Sequence, residues 1–387
     1  MHRTLLPADP RILCVKLADI GDVLLCTPAL RALRARYPGA RIDLLTPPSS
    51  AAVLRAAPEI DEVLVFNKFP FDTLGSLFDL STVLRAIRFL WGLGRRHYDA
   101  LLIFHHYSLR FGALKFAAVA LASRAPLRAG VDNGRGWFLT HRLADGGFGA
   151  QHEAEYWLDV AALAGAERRP ADRRLMIPIG AADHAAAAAL LAERGLPGPG
   201  PLIAIHPGAG WYSTARRWPA AHFATLINML VQERHADIVL LGGPDEQELT
   251  ASIREMVAAA ARAHVHNIAG QTSITGTAAL LQRCRLFIGN DSGPLHIATA
   301  AGIPVLAIFG LSNWRAYGPY VPPHPATGTR QPAQIVRQDL PCMPCLYRGQ
   351  DLGLRDGCGP RPCLTALTPA HVVRAARDML DMRAGVP

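Results

Sequence analysis

Asp22, His206–Gly210, Gly242–Glu246 and Asn290–His296 are places where side chains able to move a proton or grip an anion follow directly on apolar runs. In KLADIGDVLLCTPALRAL, Ala18–Gly21 reads as a loop and Asp22 stands where a helix should start. An aspartate there either caps helix amides, worth about 1 kcal/mol, or accepts a proton from a hydroxyl bound beyond a parallel strand. Asp19 in the same loop is the rival base.

In IAIHPGAGWYSTARRWP, the small residues from Pro207 to Gly210 let a ligand approach the backbone closely. Arg216 and Arg217 follow within reach of a phosphate held there, although paired arginines also occur on ordinary solvated surfaces. In FIGNDSGPLHIA, a polar loop opens a helix with Pro294 in its first turn. The amides of Ser292, Gly293 and Leu295 are expected to converge on one anion site, with Asp291 or Ser292 as a plain helix cap in the other reading. His296 reads equally as a wall residue or a catalyst. In VLLGGPDEQEL, Asp245 and Glu246 lie where an acid can bind ribose hydroxyls or simply begin a helix.

Cys342, Cys345, Cys358 and Cys363 form C-x-x-C followed by a wider C-x4-C pair. The spacing departs from that of a regular four-thiolate site, so the four are a candidate structural zinc or iron site, a disulfide-paired cluster or a reduced one.

The elements around these motifs alternate. Strands are expected at Arg11–Leu17, Arg41–Thr46, Glu62–Phe66, Asp99–His105 and Leu127–Val131, with helices at Asp22–Tyr37, Pro48–Ala57, Leu80–Arg96 and Leu109–Ala122 between them. A second series has strands at Leu202–His206, Asp237–Leu241, Val265–Ile268, Arg285–Gly289 and Pro304–Phe309, with helices at Ala220–Arg234, Asp245–Arg262, Ile274–Arg283 and Gly293–Ala301. Strands and helices alternating in this way predict α/β architecture, two doubly wound parallel-sheet lobes. GLPGPGP at Gly195–Pro201 marks the joint, giving lobes of 1–195 and 196–387, with Ala181–Leu191 an Ala-rich helix ending the first lobe or bridging to the second. A last helix covers Pro369–Arg383.

The chain has 387 residues, half of them apolar, which excludes a disordered or fibrous protein. Its +9 net charge is carried almost wholly by arginine, with only Lys16, Lys68 and Lys115 as lysines. That balance permits an anionic ligand or a membrane surface. The N-terminus lacks a secretory h-region and no apolar run is long enough to span a bilayer, so a cytoplasmic protein is expected.

Taken together and in this order, KLADIGDVLLCTPA, His206–Gly210 with Arg216–Pro219, Gly242–Glu246 and Asn290–His296 resemble glycosyltransferase family 9, the ADP-heptose:lipopolysaccharide heptosyltransferases. The cysteine cluster also occurs among that family's relatives. The resemblance implies a GT-B fold, two Rossmann-like lobes facing across a cleft, and inverting transfer without a catalytic metal. It places Asp22 as the catalytic base, Arg216 against the donor diphosphate, where family members often carry lysine, and Glu246 on the nucleoside ribose. Asp291 would contact the donor sugar, Ser292 and Gly293 would supply phosphate-binding amides, and His296 completes that motif. Gly208 replaces a threonine, leaving only backbone contacts there. The implied partners are ADP-heptose and an anionic, lipid A-linked acceptor, with no nucleic acid. The aromatic stretch Phe66–Phe78 either rests on the inner leaflet or packs on its own lobe. The last helix would cross back to the first lobe. A member using another nucleotide sugar or a protein acceptor, or a noncatalytic sugar-nucleotide-binding protein, is the alternative. An NAD enzyme is disfavoured, because LADIGD stands where GxGxxG would be needed.

Overall fold

The computed structural model describes residues 6–67, 79–108, 110–210 and 212–382. Most of Phe66–Phe78 lies outside them. The chain divides into two compact units, one running to Leu175 and including Gly349–Asp351, the other comprising Met176–Arg348 and the residues from Leu352 onward.

The first unit holds strands β1 (Arg11–Val15), β2 (Arg41–Thr46), β3 (Glu62–Val65), β4 (Ala100–Ile103), β5 (Leu127–Asp132) and β6 (His141–Ala144). They form one sheet ordered β3-β2-β1-β4-β5-β6, parallel throughout. Its helices are α1 (Ile20–Leu24), α2 (Thr27–Arg36), α3 (Pro48–Ala51), α4 (Leu80–Gly94), α5 (Arg110–Ala122) and α6 (Glu153–Ala162). The central strands β1 and β4 are apolar runs buried on both faces, as parallel strands covered by helices must be.

The second unit repeats this plan. It contains α7 (Ala181–Ala192), β7 (Leu202–His206), α8 (Ala220–Arg234), β8 (Asp237–Leu240), α9 (Gln247–Met256), β9 (Val265–Asn267) and α10 (Ile274–Leu281). There follow β10 (Leu286–Asn290), α11 (Gly293–Ala300), β11 (Val305–Ile308), α12 (Trp314–Tyr317) and β12 (Ala333–Val336). The sheet is ordered β12-β11-β10-β7-β8-β9. A short hairpin, β13 (Leu346–Arg348) and β14 (Asp351–Gly353), then α13 (Pro362–Thr365) and α14 (Pro369–Met382), complete the chain. Counted from each unit's own first strand, both sheets run 3-2-1-4-5-6, the doubly wound order. The order reverses between β1 and β4 and between β7 and β10, and ligands of such sheets bind just beyond the strand ends at that switch point. No helix among the described residues is long and apolar enough to cross a membrane.

Four expectations are corrected. The single helix Asp22–Tyr37 is two, because Pro28 cannot donate to a preceding turn and the Thr27 hydroxyl instead binds the Leu24 carbonyl at 2.7 Å. The edge strands β6 and β12 and the helix α6 were not anticipated. HRLA and AQIV stay partly exposed at sheet edges and lack a continuous apolar run. The unit boundary falls at Leu175–Met176 rather than at 195, since α7 packs on α10, with the Thr275 hydroxyl donating to Asp183 Oδ1 at 2.7 Å. Finally, α14 groups with the second unit. It packs on α8, buries Val372, Val373, Ala376 and Met379 in that unit's core, and pairs Arg377 with Glu233.

Candidate active site

In the first unit, β1 ends in Val15 and the next residue, Lys16, is 2% exposed. Its ammonium lies 3.2 Å from Asp22 Oδ1 and 4.4 Å from the centroid of the Trp157 ring on α6. Asp22 occupies the first turn of α1, while Asp19 takes the cap position ahead of it. The capping reading of Asp22 therefore gives way, because its carboxylate turns to Lys16. The Ser50 hydroxyl donates to the Ala18 carbonyl at 2.9 Å and pins the loop between them. Burial works against the Lys16 charge, but the carboxylates of Asp22 and Glu153, together with Cys26, outweigh it and raise its pKa. Asp22 itself keeps its side chain 29% exposed, open enough to meet a hydroxyl.

Beyond β4, a second buried cluster adjoins this pair. His106 Nδ1 lies 2.9 Å from Asp145 Oδ2, and its Nε2 lies 3.0 Å from Glu153 Oε1. Burial opposes an imidazolium here, yet the two carboxylates overcome it and push the His106 pKa up to about 9. Asp145 is lowered in turn, burial being outweighed by His106 and by the Gly147 amide. Asp22, Lys16, Glu153, His106 and Asp145 thus form an alternating series of charges at this unit's switch point. Of these, only Asp22 was singled out from sequence. The available signal was Lys16, one of three lysines in the chain, directly after a buried strand.

In the second unit the register pairs Gly289 with His206, so the loops after β7 and β10 emerge side by side. The Asn290 amide donates to the carbonyls of Pro207 (2.7 Å) and Gly208 (3.0 Å), and its oxygen accepts the Trp218 N–H at 3.1 Å. One buried side chain thereby ties the Asn290–His296 motif to the loop that carries His206–Gly210 and Arg216–Pro219. His206 Nε2 lies 2.9 Å from Glu246 Oε2, and its Nδ1 lies 3.1 Å from the Ser292 hydroxyl. Glu246 also accepts the amides of Gly243 (3.2 Å) and Gly210 (3.3 Å). Burial works against its charge, but His206 and these amides hold its pKa down to about 2. A Cβ at Gly208 would stand 1.8 Å from Glu246 Oε1, so a side chain there would need the Glu246 carboxylate to move.

Arg216 Nη1 lies 3.3 Å from Asp291 Oδ2, and Nη2 donates to the Ala209 carbonyl at 2.9 Å. Arg217 is farther out, 3.8 Å from Glu246 Oε1 and 29% exposed. Ser292 stands at the cap position of α11, but its hydroxyl binds the Asn290 carbonyl at 3.1 Å and forms no side-chain cap. The anion site loses one expected donor, since the Leu295 N–H donates to the Ser292 carbonyl at 3.1 Å. Gly293 begins α11, and His296 is buried one turn in. This groups Gly208, Arg216, Glu246, Asp291, Ser292 and Gly293 at one switch point: two carboxylates, a guanidinium and a helix start, suited to a polyhydroxylated anion.

The four C-terminal cysteines are all free thiols. Burial raises the Cys345 pKa, reinforced by Cys342 and Cys358, and burial together with Cys345, Cys358 and Cys342 raises that of Cys363 to about 11. Among the described residues, no group of three or more His, Cys, Asp or Glu side chains is placed to hold a metal ion.

Two doubly wound parallel sheets, one with charged side chains suited to an anion at its switch point, define an α/β protein of the Rossmann-like class. The profile of glycosyltransferase family 9 (heptosyltransferase) matches residues 87–353, and the chain belongs to that family. It is 26% identical over 320 residues to lipopolysaccharide heptosyltransferase 2 of Salmonella typhimurium, covering 78% of this chain and 83% of that protein. It is 24% identical over 376 residues to lipooligosaccharide heptosyltransferase 2 of Haemophilus influenzae, covering 95% and 99%. The structure of E. coli ADP-heptose lps heptosyltransferase II superposes with a TM-score of 0.71 at 22% identity, covering 97% of this chain and all of that one, which shows the shared GT-B fold.

Proposed function

We propose that the protein transfers heptose from ADP-heptose to a sugar hydroxyl of a lipid A-linked lipopolysaccharide acceptor, with inversion and without a catalytic metal. The observation that carries this reading is the grouping of Glu246, Arg216, Asp291 and the start of α11 at one switch point of a family 9 chain. Glu246, fixed as a carboxylate by His206 and two amides, accepts the ribose hydroxyls. Asp291 meets the donor sugar, and Arg216 with the amides of Ser292 and Gly293 takes the diphosphate. The acceptor oxygen attacks the anomeric carbon as the carbon–oxygen bond to the diphosphate breaks. ADP leaves with that electron pair, and Asp22 takes the hydroxyl proton. Arg216 and the α11 amides meet the charge that grows on the leaving group, the service a metal performs elsewhere.

The test measures ADP release from ADP-heptose with a lipid A-linked acceptor, alongside UDP- and GDP-sugars. Faster turnover of another nucleotide sugar overturns the donor, and tight ADP-heptose binding without turnover makes the chain a binding protein. We propose that it works in the cytoplasm, at the inner face of the inner membrane, where a lipid A-linked acceptor would be met.

The cysteine cluster is proposed to be structural. Cys363 and Cys345 pack at the second unit's core, and the segment between them is tied to the loop after β7 by the Ser213 hydroxyl, which donates to the Arg355 carbonyl at 2.7 Å. Replacing Cys342 and Cys345 by serine should lower the melting temperature and leave activity per folded molecule nearly intact. Elemental analysis decides whether zinc or iron accompanies the thiols: about one metal per chain, lost in the double variant, establishes a site.

A further inference from the structure

The face of α4 turned away from the core carries Leu80, Leu84, Ile87 and Trp91, which are 70%, 51%, 55% and 65% exposed. These positions recur at helical spacing and form one stripe. The opposite face packs Phe89, Leu90 and Leu93 onto the first unit's core. The neighbouring α5 repeats the pattern, burying Ala113, Phe116 and Ala120 while Leu114 and Leu121 stay 54% and 50% exposed. An apolar surface of this extent on two adjacent helices has an occupant.

Charge identifies it. Neither helix contains a carboxylate, and the stretch from Leu80 to Val131 holds eight Arg and Lys side chains against the single Asp99, a net +7 in a chain of +9. Arg96 is spent on Asp43 and Glu62, and Arg128 on the Phe138 carbonyl. Arg85, Arg88 and Arg95 remain exposed beside the stripe, with the Arg95 guanidinium 4.6 Å from the Trp91 ring centroid. The nearest acid on this element, Asp79, caps the helix and is held by Ser81 and Thr82. An apolar stripe edged only by arginine, with a tryptophan at its end, matches an anionic bilayer: acyl chains below, lipid phosphates at the rim.

We propose that the exposed faces of α4 and α5 dock the protein on an anionic membrane surface. This rests on the reading that the acceptor is lipid-linked, and it names the surface that would bring the first unit to that lipid. Binding of this kind is shallow and reversible, and it weakens as salt screens the arginines.

The test is co-sedimentation of the full chain with vesicles of phosphatidylethanolamine and phosphatidylglycerol, against vesicles of phosphatidylcholine alone. The chain should sediment with the first, be released by high salt, and largely ignore the second. Combined Leu84→Ser, Ile87→Ser and Trp91→Ser should cut binding at least about tenfold, since each removes buried apolar area at the interface. Arg85→Gln with Arg88→Gln should abolish the preference for anionic vesicles. All five positions are exposed, so the variants should fold, and transfer to a delipidated acceptor should persist. Quenching of tryptophan emission by brominated lipid should disappear in Trp91→Phe while binding remains. Undiminished sedimentation of the triple serine variant overturns the proposal. So does a wild-type dimer that the same variant dissociates, which would make the face an interface between copies. Vesicle binding without transfer would instead sink the functional reading and leave the surface standing, while transfer to the lipid-linked acceptor without vesicle binding does the reverse.

Discussion

Asp22→Asn should lower turnover by about a hundredfold or more with donor affinity nearly unchanged, because a positioned general base contributes about 10²–10⁴. The amide keeps the size of the carboxylate and remains within reach of Lys16, so the fold around α1 should survive. What it loses is the capacity to take a proton. Because Asp22 is partnered with a buried ammonium, the measurement is normalised to folded protein and accompanied by a melting curve. Normal turnover with a lower melting temperature would reduce Asp22 to one half of a structural ion pair. Lys16 supplies a control. Lys16→Arg keeps a cation against Asp22 and Trp157 and should retain more turnover than Lys16→Met, with the donor KM similar in both. A loss shared equally by kcat and donor KM would point to general disorder of the unit.

The two units differ in how far their chemistry could be read from sequence. In the second, Glu246, Asp291, Ser292 and Arg216 lie in the segments that follow buried strands, so local pattern alone makes them candidates. What local pattern could not supply was Asn290, whose role depends on carbonyls 82 and 83 residues away. In the first unit, the site draws on side chains scattered from Lys16 to Glu153. His106 follows β4, Asp145 follows β6 and Glu153 opens α6, and of these elements β6 and α6 were not anticipated. A histidine between two buried acids leaves no spacing signature. The same locality explains the fold. Central strands such as ALLI and VLAI declare themselves by continuous burial, whereas edge strands such as AQIV are set by pairing with a neighbour already in place.

Arg216→Ala should weaken donor binding and also slow transfer by about a hundredfold or more, the loss typical when one preorganised donor to a developing charge is removed. The geometry separates it from its neighbour. Arg216 is 14% exposed and held by Asp291 and the Ala209 carbonyl, so its guanidinium enters the reaction already oriented. Arg217 is more exposed and comes no nearer than 3.8 Å to Glu246 Oε1, so Arg217→Ala should act mainly through ribose binding and raise the donor KM with a smaller change in kcat. Arg216→Lys keeps the charge but loses the fork that spans Asp291 and the 206–210 loop, and it should fall between wild type and alanine. If instead Arg217→Ala gives the larger fall in kcat, the diphosphate lies one residue further along the chain, and Arg216 serves only to hold Asp291 in place.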